Sequence, residues 1–197
     1  MKNGKRDVGS LSDEELMLRV KGGCSASFEE LVRRHRRCVL NIAYKFTADE
    51  NSAEDIAQEV FCRIWEHRKT YTPTAKFSTF LYRVTTNFCI SEYRSYKRRQ
   101  EVHIEMRDDE TTYFDLPSKE EIPYVEMEKT ELAAKVKSAI ASLPESQRIA
   151  LILCKYENLP YSQIAEVMGT TVEAVKSLLV RAKATLRERF SRILKEK

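Results

Sequence analysis

Apolar residues recur at helical spacing along most of this chain. Phe28, Leu31, Val32, His35, Val39, Ile42 and Phe46 make one stripe, and Ala53, Ile56, Ala57, Val60, Phe61 and Ile64 make a second. Positions three and four apart share a helix face, so each run predicts a helix with one buried side. Ser12 and Glu15 form a capping box for a shorter helix that stops at Gly22-Gly23, and Ser52 with Asp55 offers a cap for the helix after the polar break at 47–52. A loop with Pro73 spans Tyr71 to Lys76. A long helix then runs from about Ser78 into Lys97-Arg98-Arg99.

The last third of the chain carries a tighter pattern. Pro144 stands in a first-turn position with Ser142 and Glu145 spaced as a capping box, and Ile149, Ile152, Leu153 and Tyr156 form the stripe that follows. Ile164, Ala165 and Met168 precede Gly169-Thr170-Thr171, and Val172, Val175, Leu179 and Ala182 follow. This is the pattern of a helix-turn-helix: small Ala165 permits close crossing, Gly169 supplies a left-handed turn, and Thr170 with Glu173 can cap the second helix. The fold class is therefore all-α. Only 5 Gly and 5 Pro in 197 residues exclude a turn-rich β fold and a glycine-dependent phosphate cradle.

The net charge of +4 changes meaning once it is distributed. Residues 1–104 carry net +5, residues 105–128 net −7, and residues 129–197 net +6. Two small basic helical modules are thus joined by an acidic linker without sustained periodicity, which reads as a flexible tether. The polar start and the lack of a long apolar run give the expectation of an intracellular, cytoplasmic protein without membrane insertion. The odd, scattered set Cys24, Cys38, Cys62, Cys89 and Cys154 fits reduced thiols. His35, His67 and His103 lie far apart, so neither a metal nor a cofactor is expected.

With the apolar positions of the last helix buried, Thr171, Glu173, Lys176, Ser177, Val180, Arg181 and Lys183 are left for solvent. That set suits base edges and phosphates in a major groove. The competing reading is a packing module whose basic face is merely solvated. In the first module, Tyr71, Phe77, Phe80, Tyr82, Phe88, Tyr93 and Tyr96 interleave with Lys76, Arg83 and Arg94. Rings beside cations can stack unpaired bases and hold their phosphates. Phe77, Phe80, Leu81, Val84 and Phe88 fit a plain core stripe equally well.

The runs SAEDIAQEVFCRIWEHR, FSTFLYRVTTNFCISEYRSYKRR and LPESQRIALILCKYENLPYSQIAEVMGTTVEAVKSLLVRAKATLR resemble the extracytoplasmic function (ECF) group of bacterial sigma factors, over about residues 10–100 and 130–190. The resemblance implies region 2 in residues 1–104, region 4 in 129–197, and a transcription initiation factor that is not an enzyme. Core RNA polymerase, through its β′ clamp and β subunits, and promoter DNA are the implied partners, with an anti-sigma factor as regulator. It implies that Asp55, Gln58, Glu59, Phe61, Ile64 and Trp65 dock the β′ clamp, with Trp65 an anchor if exposed and core if not. The loop Tyr71 to Phe77, together with Asn87, would capture a flipped base of the minus-10 element, Phe80 standing where the family often has Trp. Arg94, Lys97, Arg98 and Arg99 would hold phosphates. Arg148, Lys176, Ser177, Val180 and Arg181 would meet the minus-35 element, Arg181 touching a base, while Leu178 replaces a common Arg. The acidic linker would thread the polymerase channel toward the RNA exit. Two other classes compete: a stand-alone helix-turn-helix regulator, expected to dimerise on two-fold half-sites, and a sequestered interaction module without DNA binding.

Overall fold

A computed structural model of the chain describes residues 8–105 and 124–195. Among these residues the architecture is all-helical: α1 (Asp13–Lys21), α2 (Ser25–Thr47), α3 (Glu50–Glu66), α4 (Phe77–Glu105), α5 (Tyr124–Ala141), α6 (Glu145–Lys155), α7 (Tyr161–Met168) and α8 (Val172–Lys195), with 3-10 turns at Val8–Ser10 and Arg68–Thr70. Helix α5 begins inside the 105–128 segment. The rest of that acidic segment, from residue 106 to 123, lies outside the described residues.

Local chemistry explains the helix ends. At α1 the Ser12 amide donates to Glu15 Oε2 at 2.9 Å and the Glu15 amide to Ser12 Oγ at 3.2 Å, completing the expected capping box. Gly23 (φ 92) takes the left-handed turn that ends it. Three other caps differ from the sequence expectation. Helix α3 is capped by Asp49, whose carboxylate accepts from the Ser52 amide at 2.7 Å, so Ser52 receives the cap rather than supplying it. Ser142 donates to the Ala139 carbonyl at 2.7 Å instead of boxing with Glu145, because Pro144 itself sits at the N-cap of α6. Thr171, not Thr170, caps α8 by accepting from the Ala174 amide at 3.1 Å. Gly169 does adopt the left-handed conformation (φ 62), and the Thr170 amide closes back onto the Ala165 carbonyl at 2.9 Å.

In the first module α1, α3 and α4 pack around α2, with Leu16, Met17, Leu31, Ile42, Phe46, Phe77 and Leu81 almost wholly buried. In the second, α6, α7 and α8 enclose Ile149, Ile152, Leu153, Ile164, Val175 and Leu179. The modules do not stand apart. Helix α2 packs on α5 and α6, α4 packs on α7, and the buried apolar residues form one continuous cluster across the seam. This apposition places the candidate sites relative to one another.

Candidate nucleic-acid and partner interfaces

Three surfaces follow from the fold. The first is a groove of about 630 Å³ between α2 and α3. Its floor is aromatic: the Phe28 ring lies 5.1 Å from Trp65 and meets Phe61 edge-on at 6.4 Å. Glu29, Glu54 and Glu66 contribute to its lining. Of the α3 residues expected to dock a partner, Asp55 and Gln58 are exposed, and Glu59 is half-buried and paired with Arg63 at 2.9 Å. Phe61 and Ile64 point into the core, and of the two Phe61 reaches the floor of the groove while Ile64 does not line it. Trp65 resolves between the two readings as half-buried: one face rests on Phe28, and the Arg68 guanidinium sits 4.3 Å from its ring centre. Phe28 was missed in the sequence as a site residue because it reads as one more position of the α2 stripe.

The second surface is the outer side of α4. Asn87, Ile90, Ser91, Arg94, Lys97 and Arg98 line an open concavity of about 690 Å³. The expected base-capturing loop is different in kind. Tyr71 is 5% and Phe77 1% exposed, so neither ring offers a face to a base. Tyr71 meets Phe80 edge-on at 5.2 Å, Phe77 packs on His35 at 5.3 Å, and the Phe77 amide donates to Glu14 Oε1 at 2.8 Å. These aromatics fasten the loop to the core; Lys76 is exposed and Phe80 half-buried. Burial also pushes the Tyr71 phenol up. Asn87, Arg83, Arg94 and Arg98 are exposed, as is Lys97, while the side chains of Arg99 and Tyr96 lie outside the described residues.

The third surface belongs to α8. Thr171, Glu173, Lys176, Arg181 and Lys183 are exposed, Ser177 is half-buried, and Val180 at 67% is the most exposed large apolar residue among the described residues. Leu178 is half-buried and packs against the core, which accounts for an apolar side chain at that position. Arg148 departs from its expected role. It is 2% exposed, at the seam between the modules rather than on the α8 surface. Its Nη1 donates to the Phe46 carbonyl at 2.9 Å and Nη2 to the carbonyls of Leu143, at 3.0 Å, and Ala141. Its guanidinium lies 4.7 Å from the ring centres of both Phe46 and Tyr93. A cation that closes the carbonyl ends of α2 and α5 is held by the helix dipoles as well as by hydrogen bonds.

Among the described residues, no group of three or more His, Cys, Asp and Glu side chains is placed to hold a metal ion, and no helix is long and apolar enough to cross a membrane. A helix-turn-helix with an exposed polar α8, joined to a helical module with a basic α4 face, defines a DNA-binding class of protein. Residues 31–99 match the family Sigma-70 region 2, and residues 133–186 match Sigma-70, region 4. The chain is 31% identical to the RNA polymerase sigma-H factor of Pseudomonas aeruginosa, over 93% of this chain and 96% of that protein. It is 32% identical to the ECF RNA polymerase sigma factor SigE of Mycolicibacterium smegmatis, over 82% of this chain, and the match spans 61% of that longer relative. Its fold is similar to that in a structure of CnrH in complex with the cytosolic domain of CnrY (TM-score 0.66, 23% identity, 94% of this chain and 98% of that one). The chain belongs to the ECF-type sigma factors.

Proposed function

We propose that the chain directs core RNA polymerase to its promoters by bipartite recognition, with region 2 in residues 1–104 and region 4 in residues 129–197. The observation that carries this reading is the separation of three surfaces by chemistry: an aromatic groove with acidic residues, a basic concavity on α4, and a polar α8 face. In this reading the groove docks the clamp of the β′ subunit. Asp55 and Gln58 meet its polar groups and Trp65 with Phe28 anchors it, an aromatic centre inside a polar rim. Asn87 offers both a donor and an acceptor to a base of the opened minus-10 element. Arg83, Arg94, Lys97 and Arg98 hold its phosphates.

The α8 face enters the major groove at the minus-35 element. Lys176 and Lys183 position the helix on phosphates, Arg181 reads a base edge, and Val180 supplies an apolar contact of the kind that suits a thymine methyl. Arg148 acts only in positioning α6 beneath α8. Chemistry belongs to the polymerase, and the factor works in the cytoplasm, where polymerase and promoters are. Control by an anti-sigma factor is supported by a related fold solved as a complex of the sigma factor RpoE with the anti-sigma factor NepR from Bartonella quintana (TM-score 0.60, 20% identity). Residues 106–123 are acidic and suit the polymerase channel rather than the DNA surface.

The test is transcription from genomic promoters by core polymerase with and without the purified protein. Promoter-specific transcripts that require the protein are expected. Arg181→Ala should cost about 1–3 kcal/mol and relax preference at one upstream base pair. DNA affinity unchanged by polymerase, with no promoter-specific transcripts, would defeat the reading in favour of a stand-alone helix-turn-helix regulator.

A further inference from the structure

The loop that leads into α4 is held at both ends by one helix. Lys21, the last residue of α1, donates from Nζ to the Tyr71 carbonyl at 2.8 Å, where the loop begins. Glu14, in the first turn of α1, accepts from the Phe77 amide at 2.8 Å, where the loop gives way to α4. The two residues lie about two turns apart and so share one side of α1. The Phe77 amide is one of the donors that a helix start leaves without an internal partner, and a carboxylate there also meets the positive end of the helix dipole. Glu14 thus caps α4 from another helix, 63 residues away in sequence. The Tyr71 hydroxyl is buried and has no hydrogen-bond partner among the described residues, so the polar tie between Tyr71 and α1 runs through its carbonyl.

Helix α1 is a firm point of attachment. Asp13 meets Arg34 Nη1 and His35 Nε2 of α2, both at 2.8 Å, and Arg34 also donates to the carbonyls of Gly9 and Leu11. Between the two ties the chain has little freedom. Pro73 fixes one backbone angle, and the Thr74 amide closes onto the Thr72 carbonyl at 2.8 Å. Thr72, Pro73, Thr74 and Lys76 are exposed, and they are what the loop presents outward. Lys76 also heads a stripe of exposed residues, Lys76, Arg83, Asn87, Ser91, Arg94 and Arg98, at the spacing of one helix face. A strand that follows the cations of α4 meets the loop at the end of its track.

We propose that Glu14 and Lys21 are positioning residues for recognition of the minus-10 element. By pinning both ends of the loop, α1 sets the place of Thr72, Thr74 and Lys76 against one unpaired base and sharpens the choice of base there. The inference rests on the reading of the loop and α4 as the minus-10 surface. Neither Glu14 nor Lys21 needs to touch DNA. At the molecular surface these two contacts replace hydrogen bonds that water would otherwise make, so they add little to stability; what they fix is geometry.

The test uses the full chain with core polymerase and templates derived from one promoter that the factor transcribes, each with a different base at one nontemplate position of the minus-10 element. Open-complex formation on each template gives the base preference at every position. Discrimination at the base that the loop reads is expected to be about tenfold or more in the unaltered protein, and about two- to threefold in Lys21→Met, alone or with Glu14→Ala. Preferences at the other positions, competition for core polymerase and the denaturant midpoint should stay close to those of the unaltered protein. Lys21→Arg and Glu14→Gln, which keep a donor and an acceptor, should preserve the discrimination. Arg19→Met, which removes a charge from another side of α1, should preserve it too.

A loss of activity equal on every template overturns the proposal, because it marks a structural role alone. So does intact discrimination in the double variant, an equal fall in Arg19→Met, or a fall in Lys21→Arg and Glu14→Gln as large as in the disruptive pair. If the double variant does not fold, Lys21→Met carries the same expectation and the same refutations. The minus-10 reading is tested separately by Lys76→Ala and Asn87→Ala. Full promoter opening with unaltered preference in both defeats that reading and the proposal with it, whereas an effect there with none from Lys21→Met defeats the proposal alone.

Discussion

Arg148 Nη1 donates to the carbonyl of Phe46 at 2.9 Å, joining two residues that lie 102 positions apart and in different modules. Burial works against the guanidinium charge and lowers its pKa, although the group keeps three carbonyl acceptors. Replacement by Met would keep the bulk of the side chain and leave those acceptors unpaired. Arg148→Met should cost about 3 kcal/mol in chemical denaturation. It should also broaden the unfolding transition, because the seam loses one of the buried contacts that couple the modules.

The groove between α2 and α3 gives a different kind of prediction. Trp65 is half-buried and rests on Phe28, so its removal exposes little of the core. Trp65→Ala should weaken competition for core polymerase about tenfold or more, the loss expected of an aromatic anchor at an interface centre. The same variant should bind duplex minus-35 DNA as the unaltered protein does, since α8 lies in the other module. A loss of both activities together would point to unfolding instead.

Acid stability should have a contribution from α2. Glu30 accepts from Arg33 at 2.7 and 2.8 Å and from Arg34 at 2.7 Å, and these hydrogen bonds, Arg33 first, hold its carboxyl down to about 2 from 4.5. A carboxyl whose pKa is lowered by folding stabilises the fold when ionised. That contribution is complete above pH 4.5 and is lost as pH falls from there toward about 2. Glu30→Gln should flatten the stability profile across this window and leave the slope above it unchanged, as followed by denaturant midpoints at stepped pH.

The thiols should react in a fixed order. Burial pushes both Cys38 and Cys89 up to about 12, with the Glu157 carboxylate adding to the effect at Cys38. Cys62 is exposed, and the Ser27 hydrogen bonds lower the thiol of Cys24 at the start of α2. Alkylation near neutral pH should therefore label Cys24 and Cys62 first. Cys38 should follow at the rate of seam opening, and Cys89 only on unfolding. Peptide mass mapping over time reads the order directly.

The helices were legible because their apolar stripes have one period and their ends carry local signals, as at Ser12 with Glu15 and at Gly169. The caps that were misplaced show where such signals are ambiguous. Asp49, Ser52, Thr170 and Thr171 are all competent capping residues, and the choice between neighbours depends on where packing lets the first turn begin. The α8 face was legible for the same reason as the stripes: exposure follows from helical phase. The loop Tyr71 to Phe77 was not, because an aromatic residue beside a cation reads alike whether its ring stacks on a base or on Phe80 and His35. Arg148 shows the deeper limit. A charged residue is assigned to the surface by default, and only a contact with Phe46 from the distant module explains its burial.

The continuous apolar cluster across α2, α4, α6 and α7 has a further consequence for the life of the protein. Parting the modules uncovers nonpolar surface on both sides, so an open molecule without its polymerase is exposed to aggregation and to proteases. Closure thus keeps that surface covered, and any step that draws the modules apart must first bring it into contact with water.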